Sequence, residues 1–392
     1  CQQFDSFEIV DLAAAVHQQL KTAEIANIIQ NRGARVAIGV GSRGIDRIDQ
    51  IVKVTVDCLK QMGCTPFIVP AMGSHGGASA EGQRQILKEF GIDEQSMGVR
   101  IEDSMETVPI GTTRSGLTCY LAEPAWKADW LLPINRIKPH TDFEGPVQSG
   151  LIKMLGIGFG KQKGCMSLHK FGTENFGGLM PEIFDIYRNS GRVGFGIAVV
   201  ENAYDKVMLL RAIVGEALME EEKRLLNIAK VHMAKILLQE IDVLVVERFG
   251  KDISGAGMDT NITGRTSTGP KRDYVGPNIK RIVVLGLSAR TNGNACAISC
   301  ADFITRSCFN QINFDVTYTN SLSCYNPSGS KIPIVANDEK DAVEMAIRSI
   351  PKATMENAKI VKIRDTSHLG ELWISEAVLP QLEGQTHIAL CR

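Results

Sequence analysis

The sequence has no long apolar run and no surplus of one charge. Its longest apolar segments, 282–287 and 243–246, fall far short of the roughly 20 residues needed to cross a bilayer. The 43 Lys and Arg residues against 44 Asp and Glu give a formal net charge of −1. This balance excludes the strong positive field typical of proteins that bind nucleic acid or anionic membranes. We therefore expect a small-molecule partner, with neither nucleic acid nor membrane.

The ten cysteines include no CxxC pair. The closest set, Cys296, Cys300 and Cys308, lacks the spacing of a structural zinc site. We therefore expect reduced thiols in the core. Residues 1–30 place acidic side chains among the apolar ones, unlike a secretory signal, so a cytoplasmic location is the default expectation.

What is present is an ordinary globular composition, 44% hydrophobic and 22% charged, in a chain of 392 residues. That length has room for two domains. Short β-branched runs alternate with amphipathic stretches, which predicts an α/β protein with two domains and mainly parallel sheets flanked by helices. We place the domains at 1–238 and 239–392 and expect the active site in the cleft between them.

The pattern predicts particular elements. In the first domain we expect strands at 35–40, 65–70, 130–134 and 194–200, with helices at 45–59, 79–90 and 215–238. In the second domain we expect strands at 241–246, 282–285 and 359–363, with helices near 295–305 and 340–350.

Two glycine-rich segments resemble nucleotide loops. Gly39–Gly44 reads GVGSRG, a formal GxGxxG between a strand and a helix. No acidic residue follows the second strand, and Arg43 lies in the turn, so an anion site is favoured over NAD. Gly156–Lys161 resembles a phosphate loop, but Gln162 stands where Ser or Thr would hold magnesium, so no such loop is predicted.

Three of the seven histidines lie in turn-forming or glycine-rich surroundings: His75 in GSHGG, His140 in KPHTDFEG and His169 in KGCMSLHK. Loops after strands carry functional groups in α/β proteins, so each is a candidate metal ligand or proton carrier, the alternative being a solvated turn residue. Lys153 interrupts the apolar segment SGLIKMLG. Burial there would lower its pKa and make it a candidate nucleophile or covalent tether, although most lysines are only solvated.

Taken in order, Arg43, His75, His140, Lys153 and His169 resemble the nickel-dependent lactate racemase family. The similarity extends more loosely into the second domain. Membership would imply a nickel-pincer nucleotide, a pyridinium mononucleotide that holds nickel through carbon and sulfur, and enzymes that synthesise it for maturation.

The resemblance also implies a role for each position. Lys153 would tether the cofactor and His169 would ligate nickel, while His75 and His140 would be the paired acid and base. Arg43 would bind the substrate carboxylate, and Ser42 and Gly44 of the same turn are assigned to the cofactor. The function so implied is racemisation or epimerisation of a 2-hydroxy acid. Reversible hydride transfer suits this reaction, because a histidine cannot remove so weakly acidic a Cα proton directly.

The sequence departs from the family in several places. The usual Asp and Pro around the first arginine are missing, and GGAS follows His75. The segment 251–259 follows the second-domain pattern only loosely, and Asp259, Asn261 and Arg265 are the candidates to replace the expected Gln and Lys. These differences predict an acid other than lactate, such as a sugar acid. An NAD-dependent oxidoreductase and a non-catalytic metal- or anion-binding protein are the alternative functions.

Overall fold

The computed structural model describes residues 1–28 and 33–391. The chain forms two compact units. One is Ser6–Met233, and the other joins Cys1–Asp5 to the chain from Ala234 onward. From the sequence, this boundary was predicted after residue 238.

The N-terminal unit is built on a five-stranded sheet of order β2-β1-β5-β6-β7. The first four strands are parallel and β7 runs antiparallel to β6. A separate hairpin pairs β3 with β4. The strands are β1 Arg35–Val40, β2 Thr65–Pro70, β3 Thr107–Thr112, β4 Thr118–Ala122, β5 Trp130–Arg136, β6 Phe195–Glu201 and β7 Val207–Val214.

Helices cover both faces of this sheet, as a buried parallel sheet requires. Successive side chains of β1 point to opposite faces: Ala37 packs in one apolar cluster, and Val36 and Ile38 pack in the other. The helices are α1 Leu12–Leu20, α2 Ala23–Ile28, α3 Ile48–Gln61, α4 Ala80–Glu89, α5 Glu94–Met97, α6 Glu123–Trp126, α7 Leu151–Lys153, α8 Lys161–His169, α9 Phe176–Asn189 and α10 Leu218–His232.

Between α7 and α8 the chain forms a π-helical segment, Met154–Phe159. This segment packs on β1, because a Cβ added at Gly39 would lie 2.4 Å from Cζ of Phe159. The chain then reverses at Gly160 and Lys161, where Lys161 has a φ of 53°. A Cβ at Gly164 would lie 2.8 Å from the carbonyl oxygen of Gly156, so the absence of a side chain lets α8 approach the π-helical segment closely. We call α7, the π-helical segment and α8 the helical hairpin, residues 151–169.

The C-terminal unit holds a six-stranded sheet of order β13-β12-β11-β8-β14-β15, parallel except for β15. Its strands are β8 Glu240–Val246, β9 Arg265–Thr266, β10 Gly269–Pro270, β11 Asn278–Val284, β12 Phe303–Thr305, β13 Ile334–Ala336, β14 Ile360–Ile363 and β15 Trp373–Ile374, with β9 and β10 forming a small separate hairpin. Its helices are α11 Thr260–Thr263, α12 Arg306–Asn310, α13 Phe314–Ser323 and α14 Glu339–Arg348.

The predicted fold class, α/β with mainly parallel sheets flanked by helices, is confirmed. The helix predicted near 295–305 is wrong. The structure has a short turn at Ile298–Cys300 and then β12, an interior strand of the sheet. Residues 295–298 are all buried, so the segment has no polar face to present to solvent as an amphipathic helix would.

The expectation of reduced core thiols is wrong for Cys1 and Cys391, which form a disulfide. The two ends of the chain lie side by side, since Gln3 N–H donates to the carbonyl of His387 and Ala389 N–H donates to that of Cys1. Their Cα atoms are 6.1 Å apart, a separation that a disulfide spans. The other cysteines are free thiols, all buried or half-buried: Cys58, Cys64, Cys119, Cys165, Cys296, Cys300, Cys308 and Cys324. Within residues 1–28 and 33–391, no helix has the length and apolarity to cross a membrane.

We expect Gly39→Ala to destabilise the N-terminal unit by about 1–3 kcal/mol, since the new methyl group would overlap the fully buried Phe159 ring. Gly178→Ala is the matched control, because a Cβ there meets no atom within 4 Å and alanine favours the helix α9. Calorimetry should show a lower melting temperature for the first variant and an unchanged or higher one for the second. Equal melting temperatures for the wild type and Gly39→Ala would contradict the packing described here.

Candidate active site

Three loops of the N-terminal unit meet at one edge of the sheet. Strands β2, β1 and β5 are neighbours and parallel, with Val40 paired to Pro70 on one side and to Ile134 on the other. Their carboxyl ends therefore lie together. Ser42 and Arg43 follow β1, His75 follows β2 and His140 follows β5. This edge is where open α/β sheets bind ligands.

The imidazole of His75 is held through its Nδ1 atom, which lies 3.0 Å from the carbonyl oxygen of Met72 and 2.9 Å from Oγ of Ser42. A carbonyl oxygen can only accept, so this geometry places the proton on Nδ1 and leaves a lone pair on Nε2. Desolvation, and then the charge of Arg43, lowers the pKa of His75 to about 4. His75 is therefore neutral near pH 7 and can accept a proton at Nε2.

His75 and Arg43 keep solvent-accessible surface although protein atoms surround them. The positive charges of Arg43 and Lys153 add to desolvation in lowering the pKa of His75. Desolvation, followed by the charge of Arg136, lowers the pKa of Arg43. The site is thus open to solvent at these two residues.

His140 is held in the opposite tautomer. Its Nδ1 atom accepts a hydrogen bond of 3.0 Å from the backbone N–H of Asp142, so a neutral ring carries its proton on Nε2. Its own backbone N–H donates to Oε1 of Gln148 at 2.6 Å. The ring packs on Phe143, with centroids 4.3 Å apart, and the side chain is 16% exposed.

Lys153 lies near the start of the helical hairpin, with Nζ 5.7 Å from the centroid of the Phe143 ring. Desolvation lowers its pKa to about 8, against the opposing effect of Asp142. A fraction of this amine is therefore neutral, and so nucleophilic, at mildly alkaline pH.

A buried carboxyl group fixes the start of this helix. Oε2 of Glu222, on α10, accepts from the backbone N–H groups of Leu151 and Ile152 at 2.9 and 3.1 Å. Desolvation raises the pKa of Glu222 to about 8. On the other side, the Asn135 side chain at the end of β5 donates to the carbonyl of Gly150 at 2.8 Å. The backbone that presents Lys153 is therefore held from two elements.

His169 ends the helical hairpin. Its ring meets Phe176 edge-on, with centroids 5.1 Å apart. Its buried Nδ1 atom has no hydrogen-bond partner within the described part of the chain, which costs free energy unless another group binds there. Desolvation, and then the charge of Lys153, lowers its pKa. His169 is therefore a neutral imidazole with an unsatisfied nitrogen.

These side chains form one constellation. Phe143 touches the His140 ring, lies beneath Lys153 and contacts Phe176, which in turn meets His169. The electrostatic couplings trace the same group, because Arg43 and Lys153 both lower the pKa of His75, and Lys153 lowers that of His169. Gly44, which was predicted to contact the cofactor, is exposed in the turn after β1. A Cβ added there would meet only the Phe90 ring, at 4.0 Å.

Part of the N-terminal unit is similar in sequence to a known protein domain. Residues 6–176 match the sequence model described as the lactate racemase N-terminal domain. The match supports the suspected family, that of lactate racemase. All five residues of the suspected motif, from Arg43 to His169, lie inside the matched range. This similarity supports the predicted enzyme class, an isomerase.

The fold is also similar to a solved structure, the lactate racemase apoprotein from Thermoanaerobacterium thermosaccharolyticum. The TM-score is 0.58 with 14% sequence identity, and the match covers 94% of each chain. No curated protein matches the sequence.

Several residues that shape the candidate site were not predicted from the sequence. Asp142 and Phe143 stand inside the quoted KPHTDFEG motif, so proximity to His140 was a usable signal. Glu222 and Phe176 are distant in sequence from the quoted motifs, so no local signal pointed to them. The candidates proposed in the second domain have structural partners of their own, since Asp259 caps α11 by accepting from Asn261 N–H, and Arg265 pairs with Asp302.

The lowered pKa of Lys153 predicts unusual reactivity. Acetylation by p-nitrophenyl acetate, mapped by peptide mass spectrometry, should reach its half-maximal rate near pH 8, because the neutral amine is the nucleophile. An ordinary lysine would need a pH above about 10. Exposed Lys163 on α8 is the internal reference. If both lysines follow one pH profile, the desolvated amine described here is refuted.

Proposed function

We propose that this protein is a racemase or epimerase of a 2-hydroxy acid that works with a nickel-pincer pyridinium nucleotide. The observation that carries the proposal is that Phe143 contacts both the His140 ring and the amine of Lys153, and that the charge of Lys153 lowers the pKa of both His75 and His169. A neutral imidazole at His75, a second imidazole at His140, a desolvated amine and an unsatisfied ring nitrogen are what such a reaction requires from the protein.

The donor set fits a metal group that brings most of its own ligands. Within the described residues, no group of three or more His, Cys, Asp or Glu side chains could hold a metal ion. His169 offers one unsatisfied Nδ1 atom, and Lys153 offers an amine that can form a covalent link. Imidazole nitrogen with soft sulfur ligands suits nickel in a square-planar site. When bound, the nucleotide would supply the acceptor for the hydride of the substrate Cα.

The chain itself would handle the protons. His75, with a lone pair on Nε2, would accept the proton of the substrate hydroxyl group. His140, with its Nε2–H, would donate to the substrate oxygen. Because the two rings are held in opposite tautomers, His75 would act first as the proton acceptor and His140 as the proton donor. The product would differ from the substrate only at Cα.

Arg43 would hold the substrate carboxylate through its guanidinium group. It lies close enough to Lys153 and His75 to influence the pKa of both. The turn GVGSRG and the segment GGAS after His75 depart from the family pattern, so we propose an acid other than lactate, such as a sugar acid. Dedicated enzymes would synthesise the nucleotide for maturation.

The structure offers little support to an NAD-dependent oxidoreductase. In the GxGxxG turn, Gly39 makes room for the ring of Phe159, and a Cβ at Gly41 would lie 3.1 Å from Cε of Met154. Both glycines therefore face protein side chains of the helical hairpin. In a dinucleotide site, the glycines leave space for the pyrophosphate.

Nickel retention tests the assigned roles. On protein produced with the cofactor-synthesis enzymes, Lys153→Ala and His169→Ala should lose nickel, measured by metal analysis and intact mass. His75→Ala should keep the metal but lose about 10²–10⁴-fold in kcat/KM, since only the proton acceptor is gone. Lys163→Ala, at an exposed position on α8, is the control and should keep both nickel and activity. Full nickel content in both of the first two variants would overturn the assignment.

Isotope retention tests the reaction type. A chiral assay over a panel of 2-hydroxy acids, run in D2O, should give product that keeps its original Cα hydrogen, because hydride leaves and returns without meeting solvent. Deuterium at Cα of the product would instead show proton abstraction and reject the hydride proposal.

A further inference from the structure

Lys161 is a buried cation that the proposed chemistry does not use. It is 0% exposed and stands at the reversal of the helical hairpin, in the GIGFGK segment. Its φ of 53° is a conformation that side-chain-bearing residues rarely adopt. An ammonium group without water is costly unless hydrogen bonds compensate it, so its partners explain why it is there.

The ammonium group bonds to the loop that carries His75. Its Nζ donates to the carbonyl of Pro70, the last residue of β2, at 2.8 Å. It also donates to Oε1 of Gln83 on α4 at 3.0 Å. Gln83 is itself fully buried, and its Nε2 donates to the carbonyls of Gly73 and His75 at 2.9 and 3.3 Å.

The same residue belongs to the element that carries Lys153 and His169. Because Lys161 stands where the hairpin turns back, α8 returns His169 to a place where the charge of Lys153 affects its pKa. A second link joins the two parts, since Gly73 N–H donates to the carbonyl of Gly158 at 3.3 Å. The hairpin and the His75 loop thus share a small buried polar network.

We propose that Lys161 is a positioning residue that, through Gln83, holds the His75 loop in register with the hairpin carrying Lys153 and His169. Its importance for turnover rests on the proposed function, whereas the positioning itself is a property of the protein without cofactor. If Lys161 contributed only to stability, its replacement would destabilise the protein but leave the surroundings of His75 unchanged.

The test uses the unloaded full-length protein with 13C-labelled histidine, followed by NMR between pH 5 and 7. The signal of His75 is assigned from its loss in His75→Gln. In the wild type, His75 should remain neutral over this range, because its pKa is about 4. In Lys161→Met, which keeps the length but loses both hydrogen bonds, the loop should move away from Arg43 and Lys153. The midpoint should then rise by about one unit or more towards the ordinary value.

Three further variants sharpen the result. Lys163→Met, two positions along α8 and exposed, should leave the His75 titration unchanged. Lys161→Arg should keep the His75 midpoint at least partly at its wild-type value, since a guanidinium can still donate to both acceptors. Gln83→Met cuts the link while leaving the lysine bonded to Pro70, and it should raise the midpoint as Lys161→Met does. It also takes the place of Lys161→Met should that variant not fold.

An unchanged His75 midpoint in folded Lys161→Met or Gln83→Met would overturn the proposal. With loaded enzyme, Lys161→Met should lower kcat at full nickel content. If the wild type racemises none of the acids in the panel while the NMR shift is observed, the proposed function fails and the positioning role stands.

Discussion

The contact between Gly39 and Phe159 is the constraint on which the site depends. Only a residue without a side chain lets the aromatic ring lie on β1, and the ring in turn brings the helical hairpin onto the sheet beside the loops of Ser42, His75 and His140. Interiors are packed as densely as organic crystals, so this arrangement has little freedom to slide. The hairpin then supplies Lys153 at one end and His169 at the other.

The sequence predicted the N-terminal sheet well, since β-branched runs are local signals, and its turn-forming segments singled out three histidines that the structure brings near Lys153. Strands β1 and β2 were located to the residue. The buried ionisable groups were not predicted, because Lys161 and Glu222 look like surface residues until their partners are known. Their partners, Gln83 and the backbone at Leu151, are distant in sequence. The hairpin reversal depends on a positive φ at a lysine, which residue type does not indicate.

The electrostatics of the site favour an anion. Besides desolvation, which is the largest cause at both residues, the charge of Arg136 lowers the pKa of Arg43 and the charge of Arg43 lowers that of Lys153, while Asp142 raises both. Desolvation and the charge of Lys153 lower the pKa of both His75 and His169, and Arg43 adds to the effect at His75. An anionic ligand near Arg43 would relieve part of this repulsion. The charge pattern therefore couples ligand binding to the protonation of the histidines, without any change in backbone structure.

The N-terminal five residues belong to the C-terminal unit, so the chain passes between the two units twice, near residues 5 and 233. In sequence, the N-terminal unit is therefore an insertion within the C-terminal unit. A single protease cut at either crossing would leave the halves covalently joined through the remaining one. Any motion of one unit against the other would therefore involve both backbone connections at once.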